Sequence, residues 1–160
     1  MKKNSNNEQE ETILVPRGNG KEAIKKRERI IRDFYKTWRQ SHNGQKMFNL
    51  HLKEFINIRR MSMIETAEHA SKSYLSTLAV LQLDAILTNA KKVKIVPADK
   101  QSHNQARYNK MIIMSYICPG IGRIKLTVGI VRRTLEKVQY CITALESECV
   151  KKKKASKKDA

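Results

Sequence analysis

The hydrophobic period of the chain changes once along its length. From Lys21 to Gln40 ("KEAIKKRERIIRDFYKTWRQ") Ile24, Ile31, Phe34, Tyr35 and Trp38 recur at spacings of three, four and seven. That spacing predicts an amphipathic helix. Its other positions are basic: Lys21, Lys25, Lys26, Arg27, Arg29, Arg32, Lys36 and Arg39. "SHNGQ" breaks the pattern. A shorter helix is predicted over 48–60 ("FNLHLKEFINIRR"), with Asn49 as its cap and Leu52, Phe55 and Ile56 on its inner side. Ser62 and Glu65 are spaced as a capping box opening a third helix through "TAEHASKSY". The most apolar stretch, "LSTLAVLQLDAILTNA" (75–90), predicts a central helix, separate from the third or joined to it by a bend.

After Lys91 the period shortens to two. "KVKIV" (92–96), closed by Pro97, and "KMIIMSYIC" (110–118) read as strands on either side of a polar loop, "PADKQSHNQARYN". "PGIG" is a tight turn into the last pair. There Ile124, Leu126, Val128 and Ile130 alternate with Arg123, Lys125 and Thr127. Val138, Tyr140, Ile142 and Ala144 alternate with Lys137, Gln139 and Thr143. The connection near "RRTLE" has no Asn-Gly signature, so it is expected to exceed two residues. The expected fold is α+β, with N-terminal helices packed on a C-terminal antiparallel meander of about four strands. A single domain is expected over 19–147, between an N-terminal segment (1–18) and a Lys-rich tail (148–160) that are both expected to be disordered.

Charge adds a partner to this picture. Thirty-three Lys and Arg against 15 Asp and Glu give +18. The tail "KKKKASKKDA" carries +5 of it, which leaves +13 on residues 1–150, so the body itself is basic. A polyanion is the expected partner, nucleic acid first among them. No apolar run nears the roughly 18–20 residues of a membrane span, and the polar opening "MKKNSNNEQEE" is not expected to act as a signal peptide. Cys118, Cys141 and Cys149 lack CxxC spacing and read as reduced thiols of a cytoplasmic protein.

Three groups of residues carry candidate chemistry. His69 has Lys72 and Ser73 one helical turn away, so the three can face one cleft. The plain alternative is a solvated helix surface. The loop residues Lys100, His103, Arg107, Tyr108 and Lys110 interleave cations with aromatics, which suits single-stranded nucleic acid; a flexible polar loop would look the same. On the polar side of the last hairpin, Lys125, Thr127, Gln139 and Thr143 would form a cationic and hydroxylic floor for a phosphate, unless they are an ordinary wet sheet face. Arg123, Arg132 and Arg133 would contact phosphates. Tyr140 belongs by parity to the greasy face, and reaching the site would require a bulge or a rim position. His42 and His51 have no companions and read as structural or incidental. No HxH, CxxC or HExxH spacing occurs, so no metal is expected. No GxxxxGK[ST] or GxGxxG occurs, so no nucleotide cofactor is expected.

The segments "EHASKSYLSTLAVLQLDAILTNAKKVKIVPADK" and "GRIKLTVGIVRRTLEKVQYCITAL" together resemble the barnase–EndoU–colicin–RelE nuclease superfamily over about residues 62–146. The likeness is to its phage and mobile-element branch and to proteins of Bacteroides-type bacteria. It lies in a His-bearing helix followed by a short strand, an "i.l.v.v" strand, and a last strand with an aromatic and a hydroxyl residue. The resemblance implies a metal-independent ribonuclease that attacks phosphate with the RNA 2′-hydroxyl, and so favours RNA over DNA. His69 would be base or acid, Lys125 and Arg132 would stabilise charge, and Thr127 and Thr143 would orient the phosphate. The alternatives are a non-enzymatic accessory protein of a mobile element, or a protein whose sheet docks a partner such as an antitoxin or immunity protein.

Overall fold

The helix read from the 21–40 pattern forms as α1 (Lys21–Ser41) and buries Ile31, Tyr35 and Trp38, the residues of its stripe. One cation leaves the outer face expected for it. Arg27 is fully buried, donating from Nε to Ser71 O and from Nη1 to Pro16 O and Gly18 O, each at 2.7 Å. The carbonyls offset the desolvation of the guanidinium and tie the chain before α1 to the end of a later helix. The computed structural model describes residues 14–145, so residues 1–13, Cys149 and the Lys-rich tail lie outside the described residues.

The segment 48–60 is not a helix. It forms a hairpin, β1 (Lys46–Asn49) and β2 (Glu54–Asn57). Asn49 does act as a cap: its Oδ1 accepts from the His51 and Leu52 N–H groups at 3.0 and 2.7 Å. The turn it nucleates does not propagate, because Lys53 turns left-handed at φ 59° and sends the chain back. Asn49 Nδ2 donates to Leu87 O and Ala90 O, anchoring the turn from below. Next come α2 (Arg60–Ala70), α3 (Tyr74–Val80) and α4 (Leu83–Asn89). The predicted long helix at 75–90 is thus two short ones, broken at Leu81–Gln82. Ser62 sits in the first turn of α2 rather than capping it, its Oγ accepting the Arg59 N–H at 3.0 Å.

The remaining strands are β3 (Lys91–Pro97), β4 (Tyr108–Cys118), β5 (Gly122–Val131) and β6 (Lys137–Ala144). The fold is α+β as expected, but the sheet has six strands in the order β1-β2-β6-β5-β4-β3 instead of four. It is also mixed, since β2 runs parallel to β6. One face carries Ile124, Leu126, Val128 and Ile142 against Ile31, Tyr35, Leu83 and Ile86, and this is the main core. Among the described residues no helix is long and apolar enough to cross a membrane.

Two features of β6 position the site. First, β2 pairs with it only at Lys137 and Val138. Above that point α2 and α3 cover its edge: the Thr66 hydroxyl donates to Tyr140 O at 3.5 Å, and Ser76 Oγ accepts the Ala144 N–H at 2.8 Å. The backbone groups of a strand edge are thereby satisfied by side chains. Second, the β5–β6 register slips between Thr127 and Val128, which pair with Cys141 and Gln139 and leave Tyr140 as the extra residue of a bulge.

Candidate active site

The bulge inverts the parity read from the sequence. Below it, Gln139 turns into the core and is fully buried, accepting from the Tyr35 hydroxyl at 2.6 Å and donating to Thr66 Oγ1 at 2.8 Å. Gln139 therefore is not part of the polar floor. Val138 and Tyr140 pass to the other face and pack with Ala98, Tyr108 and Met111 in a second, smaller core beneath the 98–107 loop. This packing depends on Gly129: a Cβ there would lie 2.6 Å from the Tyr108 ring.

Above the bulge the open face of the sheet, α2 and the 98–107 loop enclose a cleft of about 580 Å³. Its floor includes Lys125 and Thr127 from β5 and Cys141 and Thr143 from β6. Lys125 faces Thr143 across the strands, and Thr127 faces Cys141. His69 of α2 lines the same cleft with its side chain half exposed, its Nε2 3.3 Å from Glu65 Oε1. Of the residues expected to carry chemistry, His69, Lys125, Thr127 and Thr143 are thus in one place, without Arg132. They arrive there because β5 and β6 alternate above the bulge as the sequence suggests, while α2 lies along the uncovered edge of β6.

Glu65 is the residue the sequence reading missed in this role. It is 1% exposed, one helical turn before His69, and it accepts a short hydrogen bond from Asn104 Nδ2. The i,i+4 spacing of Glu65 and His69 is a legible pairing signal. Tyr140 joins the cleft through the bulge. Burial pushes its phenol up to about 12; the Gln105 hydrogen bond works against the shift and the Glu65 charge works with it. Cys141 is raised to about 11, first by burial and then by Glu65, so its thiol stays protonated near neutral pH and is a poor nucleophile. Ligand atoms of Glu65, Glu68 and His69 also lie within 4.8 Å of one another. Glu65 in that trio is already engaged by His69 and Asn104.

The other expected contacts divide. Lys72 is exposed in the turn after α2, and Ser73 instead caps α3 by accepting the Ser76 N–H at 3.0 Å. Neither shares the cleft wall with His69. Lys100 and His103 are exposed on the loop, whose Asp99, Ser102, Asn104 and Gln105 are what line the cleft. Lys110 is exposed on β4 opposite Pro97 and Ile130. Arg123 donates to Ser115 Oγ at 3.0 Å on the upper part of the open face. Arg132 and Arg133 stand at the β5–β6 turn, outside the cleft wall, with Arg132 Nε bonded to Ala106 O at 3.1 Å. Arg107 lines a neighbouring groove. His42 is stacked on Trp38 with ring centroids 4.0 Å apart and paired to Asp84 at 3.1 Å. Comparison with protein-family models, with curated proteins and with solved structures gives no match for this chain.

Proposed function

We propose that the chain is a ribonuclease that cleaves RNA in the cleft between α2 and the open sheet face without a metal ion. The observation that carries this reading is the joining of a His69–Glu65 pair to Lys125, Thr127 and Thr143 in one cavity. Transphosphorylation needs a base, an acid and positive charge near the phosphate. His69 takes the proton from the ribose 2′-hydroxyl, held by the Glu65 carboxylate behind it. The freed oxygen attacks the adjacent phosphorus, and the 5′-oxygen departs, leaving a 2′,3′-cyclic phosphate. Lys125 and the hydroxyls of Thr127 and Thr143 hold the non-bridging oxygens. Tyr140, kept protonated by burial, is the donor placed to supply the leaving oxygen with its proton. Arg132, given a charge-stabilising role by the superfamily resemblance, is assigned to binding instead, because it lies outside the cleft wall. The same reading assigns the protein to the cytoplasm, with Cys118 and Cys141 as reduced thiols.

The test is incubation of the purified chain with labelled RNA in excess EDTA. Fragments with 2′,3′-cyclic ends are expected, and His69→Ala should slow their release by about 10²–10⁴-fold. Intact RNA at micromolar protein would overturn the reading in favour of a non-enzymatic binding protein. Cleavage that stops in EDTA would instead give a metal-dependent role to Glu65, Glu68 and His69.

A further inference from the structure

The cleft around Glu65 is poor in positive charge for a chain so basic. Lys125 is the one lysine or arginine in its wall, set against Glu65 and Asp99. Attraction for a polyanion must come from outside it. Beyond the Tyr108–Tyr140 contact, where the rings lie 6.0 Å apart, is a second groove of about 600 Å³. Arg59, Arg60 and Arg107 line it, and Glu136 is the one acidic residue in its wall. Glu136 is engaged by Arg59 at 3.4 Å, and Arg60 and Arg107 have no carboxylate partner among the described residues. The β5–β6 turn is fastened to this groove by the Arg132 N–H on Arg107 O at 3.2 Å.

The same elements line both cavities. Ile64 of α2 faces the groove and Glu65 the cleft; Arg107 and Tyr108 face the groove and Gln105 the cleft; Val138 faces the groove and Tyr140 the cleft. The arginines therefore stand next to the cleft, on the far side of the buried Tyr108 and Val138. Guanidinium groups bind phosphate through paired N–H donors. The half-buried Met61, Ile64 and Val131 add an apolar surface for a base.

We infer that this arginine groove binds the phosphodiesters of single-stranded RNA that flank the bond held at His69. The ligand's identity rests on the reading above; the groove's charge does not. The test uses full-length His69→Ala, which holds RNA without cutting it, titrated by fluorescence anisotropy against a labelled oligouridylate of about 12 nucleotides, from about 50 to 200 mM KCl. Adding Arg60→Ala and Arg107→Ala should weaken binding by about tenfold at low salt. It should also flatten the log–log salt slope by about 1.4, roughly 0.7 for each lost contact.

Lys25→Ala with Lys26→Ala removes equal charge from the outside of α1 and should leave the slope nearly unchanged. Equal flattening by both pairs, or none by the arginine pair, overturns the inference. Arg60→Lys with Arg107→Lys guards against misfolding: it should recover the slope but not the full affinity. The two proposals separate by outcome. Arginine-dependent binding by an otherwise unmodified chain that leaves RNA intact supports the groove and removes the ribonuclease. Cleavage of both a dinucleotide and a long RNA at undiminished rates by the arginine-pair variant removes the groove and keeps the ribonuclease.

Discussion

Glu65 and Thr66 are neighbours on α2, and each anchors a buried polar cluster, one on either side of β6. The Thr66 cluster is neutral and closed: the Tyr35 hydroxyl, the Gln139 amide and the Thr66 hydroxyl form one hydrogen-bonded chain ending on Tyr140 O. Its polar groups are occupied by one another and by the strand edge. The Glu65 cluster is charged and open, since its carboxylate binds Asn104 on one side and a half-exposed His69 on the other. A buried charge costs more than a buried amide. The Glu65 carboxylate meets solvent through the half-exposed imidazole of His69, whereas the Thr66 cluster holds the helix to the strand.

Glu65→Gln breaks this contrast most sharply. The amide preserves the shape and removes the charge behind His69. On the proposed mechanism kcat falls by about 10²–10⁴-fold while KM changes little, as when the orienting carboxylate of a histidine base is neutralised. The melting temperature holds or rises, because a buried charge has gone. Unchanged turnover in a folded Glu65→Gln protein would remove the carboxylate from the mechanism.

Gln139→Leu tests the other cluster. It strips partners from the Tyr35 and Thr66 hydroxyls, at about 1–3 kcal/mol for buried polar groups left unsatisfied. For a chain of this size the melting temperature should drop by about 2–4 °C per kcal/mol. Turnover well below that temperature should stay near wild type, and Tyr35→Phe in the same chain should recover part of the loss. A large loss of turnover at full foldedness would show that the closed cluster also serves the cleft.

The sequence made the cleft floor readable and hid the Thr66 cluster for a physical reason. Lys125, Thr127 and Thr143 are legible because strict alternation holds above the bulge, where one face is core and the other solvent. Below it, both faces are buried. Val138 and Tyr140 are apolar because the 98–107 loop covers them, and Gln139 is buried because Tyr35 and Thr66 satisfy it. The letters keep a period of two through the slip, so parity alone assigns Gln139 to the wrong side.

The hairpin at 46–57 was hidden differently. Asn49 carries a true capping signal, and Leu52, Phe55 and Ile56 have helical spacing, yet Phe48 and Phe55 pair across two short strands with ring centroids 5.3 Å apart. Cross-strand pairing overrode the helix signal. Glu65 was read as a cap because Ser62 stands three residues before it. The helix begins three residues earlier than that reading allows, so Glu65 lies in its middle, where it can face the cleft.

The weakest effect is on stability at high pH, where both clusters contribute. Tyr140 is raised from 10.0 to about 12 and Cys141 from 9.0 to about 11, and Tyr35 and Tyr108 are also raised; burial is the leading cause for all four. A raised acid is held neutral by the fold, so the folded chain binds more protons than the unfolded one above the ordinary value. The stability these groups supply is complete below about pH 9 and is lost as pH climbs toward 12. Lysines losing charge near pH 10.4 work in the opposite direction by relieving the self-repulsion of a chain at +18. The measurement therefore compares two chains. Melting temperature should fall with pH from about 9 upward in the parent, and fall less steeply in Tyr140→Phe, which has no phenol to ionise. Parallel curves for the two would mean that Tyr140 ionises as easily in the fold as in the unfolded chain, and that burial does not hold its phenol neutral.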